Sequence, residues 1–222
     1  GRRSVNRISE EERDRILELA LGPYHDYNDT HFAEKLVEQH GILVSRSTVR
    51  RLRRSIGQDS PRKRRSPHHR SRRERYPLPG MLLQIDGSQH DWLEGRGPRL
   101  VLIAAIDDAT NEVPYALFRH QEDAAGYFEL MYAITQSHGL PLAVYADRHT
   151  IFQSPTKPTI EQQLSGELPR SQFGRLMHEL AIESFAARSP QAKGRVERLF
   201  GTLQDRLVKE LREAQASTLE EA

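Results

Sequence analysis

The chain has 222 residues, enough for one large domain or two modest ones. Its 36% hydrophobic and 29% charged residues indicate a polar globular protein, and the absence of cysteine excludes disulfides and cysteine-ligated zinc. The longest apolar run, Leu100 to Ile106, is too short to cross a bilayer, and no secretory signal is visible. We therefore expect a cytoplasmic protein that does not associate with membranes.

The net charge of +2 hides an asymmetry along the chain. Residues 1–76 carry 19 basic and 11 acidic residues, a net of +8, whereas residues 77–222 carry 14 and 20, a net of −6. A split of this kind predicts a nucleic-acid-binding half joined to a half with a different task.

Residues 9–56 carry the pattern of three short helices. Ser9 and Glu12 form a capping-box pattern at the start of the first, Gly41 is placed to end the second, and Ser45 can cap the third. Apolar residues recur at helical spacing in all three helices and predict their core: Ile16, Leu17, Ala20, Leu21, Phe32, Ala33, Leu36, Val37, Val49, Leu52 and Ile56.

The third helix has a polar face opposite its apolar stripe. This face consists of Ser47, Arg50, Arg51 and Arg54. Two helices, a tight turn and an arginine-rich third helix are typical of a helix-turn-helix DNA-binding domain, which we place at residues 1–56. A solvated basic helix on another kind of three-helix domain is the alternative.

Residues 57–77 predict a basic linker. Residues 57–76 contain eight lysines and arginines and only one apolar residue, Tyr76, so they cannot bury a core. Next to a DNA-binding domain, such a segment is expected to follow phosphates. The residues expected to do so are Arg62, Lys63, Arg64, Arg65, Arg72 and Arg73.

Residues 78–222 predict an α/β domain. Strands are expected at 81–93, 99–106, 112–119, 142–146 and 182–186, and helices at 122–138, 171–181 and 192–214. This order predicts a mixed five-stranded sheet covered by helices.

Two aspartates occupy positions where a sheet gathers functional groups. Asp86 lies on the first predicted strand and Asp147 ends the fourth. Carboxylates that leave buried strands close together repel one another unless a cation lies between them. Oxygen ligands of this type suit Mg²⁺.

Three blocks of sequence resemble the catalytic blocks of bacterial insertion-sequence transposases, which are relatives of retroviral integrases. They are Ile85-Asp86-Gly87, Tyr145-Ala146-Asp147 and the run from Ser189 to Arg198. Residues 86–90, 106–110 and 201–207 resemble the ISNCY-type group in particular. The resemblance extends over about residues 30–222 and implies an RNase H-like fold for the catalytic domain, residues 78–222.

The resemblance also implies a catalytic triad of two aspartates and one glutamate, with two bound Mg²⁺ (or Mn²⁺) ions. Asp86 and Asp147 match the aspartates, and Glu197, in the third block and early in the last helix, matches the glutamate. Glu183 has an integrase-like spacing from Asp147, but it directly follows Leu180-Ala181-Ile182, where the fifth strand is expected, so we exclude it. A surface glutamate is the alternative interpretation of Glu197.

Several neighbours of the predicted triad are candidates for supporting roles. Lys193 and Arg195 are expected to hold DNA ends. His90, on the same strand face as Asp86, and His149, two residues after Asp147, are possible neighbours of the active site. A hydrogen-bonded histidine at the sheet edge is the alternative for His90.

These features predict a DNA transposase that binds transposon ends, cleaves DNA and joins the cut end to target DNA. Its partners would be double-stranded DNA, as terminal repeats and as target, and further copies of the chain in a dimer or higher oligomer. We expect a bacterial, nucleoid-associated protein with a C-terminal domain beyond residue 222. Two alternatives stay open: a helix-turn-helix regulator with an inactive assembly domain, and a structure-specific RNase H-like nuclease.

Overall fold

The computed structural model describes residues 8–59, 74–146, 154, 169–186 and 194–222. The chain divides into two compact units, within residues 1–70 and 71–222. The first unit contains three helices, α1 at Glu10–Leu21, α2 at Asp29–His40 and α3 at Arg46–Ser55.

Local sequence signals set the ends of these helices. Ser9 and Glu12 make both bonds of a capping box at the start of α1. Gly41 adopts a left-handed conformation (φ 65°) that ends α2, and the Ser45 side chain accepts a hydrogen bond from the Thr48 N–H at the start of α3. The predicted caps are therefore confirmed.

The core of the first unit differs in part from the predicted stripes. Ile16 and Ala20 are buried as expected, but Leu19 joins them, while Leu21 is 65% exposed and Val37 is 43% exposed. Residues 16, 19 and 20 share one helix face, whereas residue 21 lies about 100° further round. Ile56 is also exposed, because it follows the last turn of α3.

The second unit alternates strands and helices. In chain order its elements are β1 at Leu83–His90, β2 at Leu100–Asp107, β3 at Ala116–Arg119, α4 at Ala124–His138, β4 at Ala143–Ala146, α5 at Gln172–Glu179, β5 at Glu183–Ala186 and α6 at Val196–Glu213. β3 begins later than predicted, since Pro114 cannot donate a hydrogen bond to a strand ladder.

The five strands form one mixed sheet in the order β3-β2-β1-β4-β5. The first three strands are antiparallel, whereas β4 is parallel to both β1 and β5. The predicted mixed five-stranded sheet is confirmed, and with its covering helices it fits an RNase H-like fold.

Side chains alternate between the two faces of the sheet. On one face, Ile85 and Ile103 pack with Tyr127 of α4 and Phe173 of α5. On the other face, the α6 face, residues of β2 such as Leu102 and Ala104 pack in a separate cluster that includes Val196 and Phe200. The even-numbered residues of β1 therefore point toward α6.

None of the helices in the described ranges is long and apolar enough to cross a membrane.

Candidate active site

Asp86 lies in the middle of β1, opposite Ala104 of β2. It shares the α6 face of the sheet with its alternate neighbours on the strand, Gln84 and Ser88. Gln84 and Ser88 are buried, but Asp86 is only half-buried. The strand thus holds a partly accessible carboxylate between two buried polar side chains.

The helix that carries Glu197 runs alongside these residues. The N–H of Val196 donates to Oε1 of Gln84 (3.4 Å), and Nε2 of Gln204 donates to Oγ of Ser88 (3.0 Å). Because α6 touches β1 on both sides of Asp86, its first turns border that carboxylate on the same face of the sheet.

Glu197 is exposed in the first turn of α6. Gln204 follows it by seven residues, and two helical turns bring such a pair to nearly the same side of a helix. Since Gln204 reaches β1, the exposed Glu197 lies at the edge of α6 that borders the strand.

Glu183 occupies a different part of the sheet. It is the exposed first residue of β5 and pairs with Ala143, the first residue of β4. Ala146, which directly precedes Asp147 in the sequence, ends β4 three residues later. At about 3.3 Å per residue, Glu183 is about 10 Å from the end of the strand at which Asp147 follows.

Other predicted site residues fall outside the described residues. They are Asp147, His149, Lys193, Arg62, Lys63, Arg64, Arg65, Arg72 and Arg73. Within the part that is described, no group of three acidic or histidine side chains is arranged to hold a metal ion.

The donor chemistry nevertheless suits a hard divalent cation. Asp86 presents carboxylate oxygens from β1, and Glu197 does so from the helix along the same face. Carboxylate oxygens are the ligands that Mg²⁺ and Mn²⁺ prefer. These two residues could therefore contribute to a metal site, together with the aspartate that follows β4 in sequence.

Arg195 is placed differently from the expectation of DNA contact. Its side chain is only 12% exposed, and Nε donates to Oδ1 of the fully buried Asp108 (2.7 Å). Nη1 donates to Oδ1 of Asn111 (3.0 Å). The guanidinium thus binds the turn that follows β2.

Sequence reasoning missed the roles of Gln84 and Asp108. Nε2 of Gln84 donates to Oδ1 of Asp108 (3.0 Å), so both side chains join Arg195 in one buried polar network. The available signal was Gln84 itself, a polar residue between the apolar Leu83 and Ile85, because buried polar groups need hydrogen-bond partners.

His90 ends β1 on the same face as Asp86. Its ring contacts Trp92 edge-on, with centroids 5.3 Å apart, and Trp92 is fully buried. His90 follows Asp86 by four positions along the strand, which places the two residues about 13 Å apart. The position favours packing at the strand end.

In the first unit, all four residues predicted to read DNA are exposed on α3: Ser47, Arg50, Arg51 and Arg54. The opposite side of the helix buries Val49, Leu52 and Arg53. Arg53 was not singled out in the sequence, although it lies four residues after Val49 and hence on the core side.

Comparison with known proteins supports the resemblance seen in the sequence. The chain is 44% identical, over 96% of its length, to y4bF of Sinorhizobium fredii, which is named as a transposase. It is 33% identical over its whole length to the transposase of insertion sequence IS1202 from Streptococcus pneumoniae. The resemblance to insertion-sequence transposases is thereby confirmed. The chain spans about half the length of these relatives, 45% and 54%.

Similar solved structures include the HTLV-2 integrase catalytic core domain in complex with magnesium. In its dimeric form it has a TM-score of 0.48 and 17% identity, over 64% of this chain and 80% of that one. An intasome of simian T-cell lymphotropic virus in complex with the PP2A regulatory subunit B56 gamma has a TM-score of 0.49 and 16% identity, over 92% of this chain and 64% of that one. No family model matches the chain.

Proposed function

We propose that this chain contains the DNA-binding and catalytic parts of an insertion-sequence transposase, which cleaves transposon ends and joins them to target DNA. The main observation behind the proposal is that the chain is 44% identical, over 96% of its length, to a relative that is named as a transposase. The placement of Asp86 and of the helix bearing Glu197 along one sheet face supports it.

The proposed organisation assigns one task to each segment. Residues 1–56 would recognise terminal repeats, residues 57–77 would follow phosphates, and residues 78–222 would perform catalysis. A dimer or higher oligomer would bring two transposon ends together.

We propose Asp86, Asp147 and Glu197 as the catalytic carboxylates, each of which would hold one or both of two Mg²⁺ or Mn²⁺ ions. When bound, the ions would supply the Lewis acidity that activates the attacking water or 3′-hydroxyl and stabilises the leaving oxygen. The carboxylates themselves would hold the ions in place and balance part of their positive charge, and they need form no covalent bond to DNA.

Asp86→Asn, Asp147→Asn and Glu197→Gln should each lower cleavage and strand transfer by at least about 100-fold, while end binding stays nearly intact. Each change keeps the side-chain shape and removes the negative charge. The measurements are a cleavage assay with uncut, labelled ends, a strand-transfer assay with pre-cut, labelled ends, and a gel shift with the same DNA.

Glu183→Gln is the matched control, since it makes the same change at an exposed position away from the site. It should keep substantial activity. An inactive Glu183→Gln with an active Glu197→Gln would refute the triad. Cleavage without joining would favour the nuclease alternative, and no metal-dependent activity at all would favour the regulator.

A further inference from the structure

Asp108 is a fully buried carboxylate that the proposed chemistry does not use. It lies in the turn after β2 and accepts three described hydrogen bonds. Oδ1 accepts from Gln84 (3.0 Å) and Arg195 (2.7 Å), and Oδ2 accepts from the N–H of Tyr76 (3.1 Å). A buried charge is costly unless it is paired and hydrogen-bonded, so the folded state depends on these partners of Asp108.

The network joins the two elements that carry the candidate catalytic residues. Gln84 precedes Asp86 by two residues and shares its strand face, and Arg195 precedes Glu197 by two residues. One carboxylate, Asp108, therefore contacts both β1 and Arg195, the N-cap residue directly before α6.

The first turn of α6 receives one of its hydrogen-bond acceptors from Gln84 of β1. Arg195, at the N-cap position, makes no side-chain capping bond. The first N–H groups of an α-helix have no acceptor within the helix itself. Oε1 of Gln84 accepts from one of them, the N–H of Val196 (3.4 Å). Later turns are fixed differently, by the burial of Phe200, Val208 and Leu211.

We propose that Gln84 and Asp108 are positioning residues that fix the first turn of α6 against β1 and so set the place of Glu197 relative to Asp86. The inference rests on the proposed function for the roles of Glu197 and Asp86. Neither Gln84 nor Asp108 touches DNA or metal in this scheme. Their effect passes through the backbone of residues 195–197.

Gln84→Met tests the proposal, because methionine keeps the buried volume and removes both hydrogen bonds. In the intact chain it should weaken Mn²⁺ affinity by about 10–100-fold, the effect typical of residues that orient metal ligands. The kcat of strand transfer should fall by a similar factor with an unchanged KM for DNA. Amide hydrogen exchange at residues 196–199 should accelerate.

Asp205→Asn is the matched control. It removes an ion pair with Lys209 (2.9 Å) on the same helix, two to three turns after Glu197. It should leave Mn²⁺ affinity and kcat within about twofold of the unmodified chain. If Gln84→Met also leaves Mn²⁺ affinity and kcat unchanged, the positioning role is overturned. A variant that changes only the KM for DNA would overturn it as well.

Two further variants separate the possible failures. If Gln84→Met does not fold, Asp108→Asn decides, since it keeps the side-chain shape and removes the carboxylate charge that Arg195 binds; unchanged Mn²⁺ affinity and unchanged exchange at 196–199 would then overturn the inference. If Glu197→Gln keeps full cleavage and full Mn²⁺ affinity, the proposed function fails. An inactive Glu197→Gln beside a fully active Gln84→Met rejects the positioning role alone.

Discussion

Arg53 is a charged side chain in the apolar core of the first unit, with no exposed surface. Its guanidinium donates to the backbone carbonyls of Tyr27 (2.5 Å), His25 (2.9 Å) and Tyr24 (3.3 Å), and it contacts Asp29 (3.4 Å). Burial lowers the pKa of Arg53, and the nearby Asp29 opposes that shift. One arginine thereby donates hydrogen bonds to three carbonyl groups of the segment between α1 and α2.

Arg53→Met should destabilise the first unit by about 3–5 kcal/mol, because it removes the cation beside a buried carboxylate and the hydrogen bonds that this cation donates to three carbonyls. Hydrogen exchange of the α2 amides in the intact chain measures this loss locally. Arg54→Met, at an exposed neighbour, should change stability by no more than about 0.5 kcal/mol. If the α2 amides were equally protected from hydrogen exchange in Arg53→Met and Arg54→Met, a structural role for Arg53 would be contradicted.

Among the elements, α3 combines a structural side with an exposed basic side. Val49 and Leu52 enter the core with Arg53, while Arg50 and Arg51 face solvent. A helix of this design can be replaced residue by residue on its outer face without disturbing the fold, which makes its proposed recognition role testable.

Arg51→Ala should reduce the preference for terminal-repeat over random DNA, by about 1–3 kcal/mol if the side chain reads a base edge. Replacing Arg62 to Arg65 with alanine should weaken binding to all sequences alike and flatten its salt dependence, because fewer counterions are released. Gel-shift titrations over a range of salt measure both effects. Arg15→Ala, on α1, is the control, and equal losses on both DNAs from Arg51→Ala would refute the recognition helix.

The elements could be predicted from sequence where their signals are local. The caps at Ser9, Gly41 and Ser45 each depend on residues a few positions apart. The role of Arg195 could not be predicted, since its partner Asp108 lies 87 positions earlier and meets it only when α6 packs on the sheet. An arginine in a basic block gives no local sign of such a partner.

The candidate site, too, could be predicted from the sequence only in part. The positions of Asp86 on a strand and Glu197 early in a helix followed from periodicity and from the matched blocks. The hydrogen bond that joins Gln84 to Val196 depends on three-dimensional packing and was not accessible from the sequence.

In the molecule as a whole, the second unit is closed at one end by contacts between distant segments. Glu94, in the turn after β1, pairs with Arg212 near the end of α6 and with Arg96 (3.0 Å). The Arg96 side chain also donates to the carbonyl of Ala216 (3.2 Å). The turn after β1 thus anchors the C-terminal part of α6 and the residues that follow it.

This closure should weaken in acid. The hydrogen bond from Arg212, with help from Arg96, lowers the pKa of Glu94 below its ordinary value of about 4.3. Stability from this carboxylate is therefore fully present above that value and is lost as pH falls through the lowered pKa. Because the pair is partly exposed, we expect only about 0.2–1 kcal/mol.

Thermal melts between about pH 2.5 and 6 measure the effect. Glu94→Gln should lower the midpoint at pH 6 and make the second unit less sensitive to acid. Glu220→Gln, near the C-terminus, is the control and should leave the acid dependence unchanged. An unaltered acid dependence in Glu94→Gln would show that the ion pair contributes nothing.

The distance in sequence between Gln84 and Val196, 112 positions, has a consequence for biosynthesis. At about 5–20 residues per second, a ribosome delivers residue 196 roughly 6–22 s after residue 84. Until then the antiparallel hairpin of β1 and β2 is available to form, but Asp108 has no arginine and the glutamate of α6 has not been made. A nascent chain that has stopped short of α6 therefore lacks the proposed catalytic glutamate, and the proposed cleavage of DNA is confined to chains whose translation has passed α6.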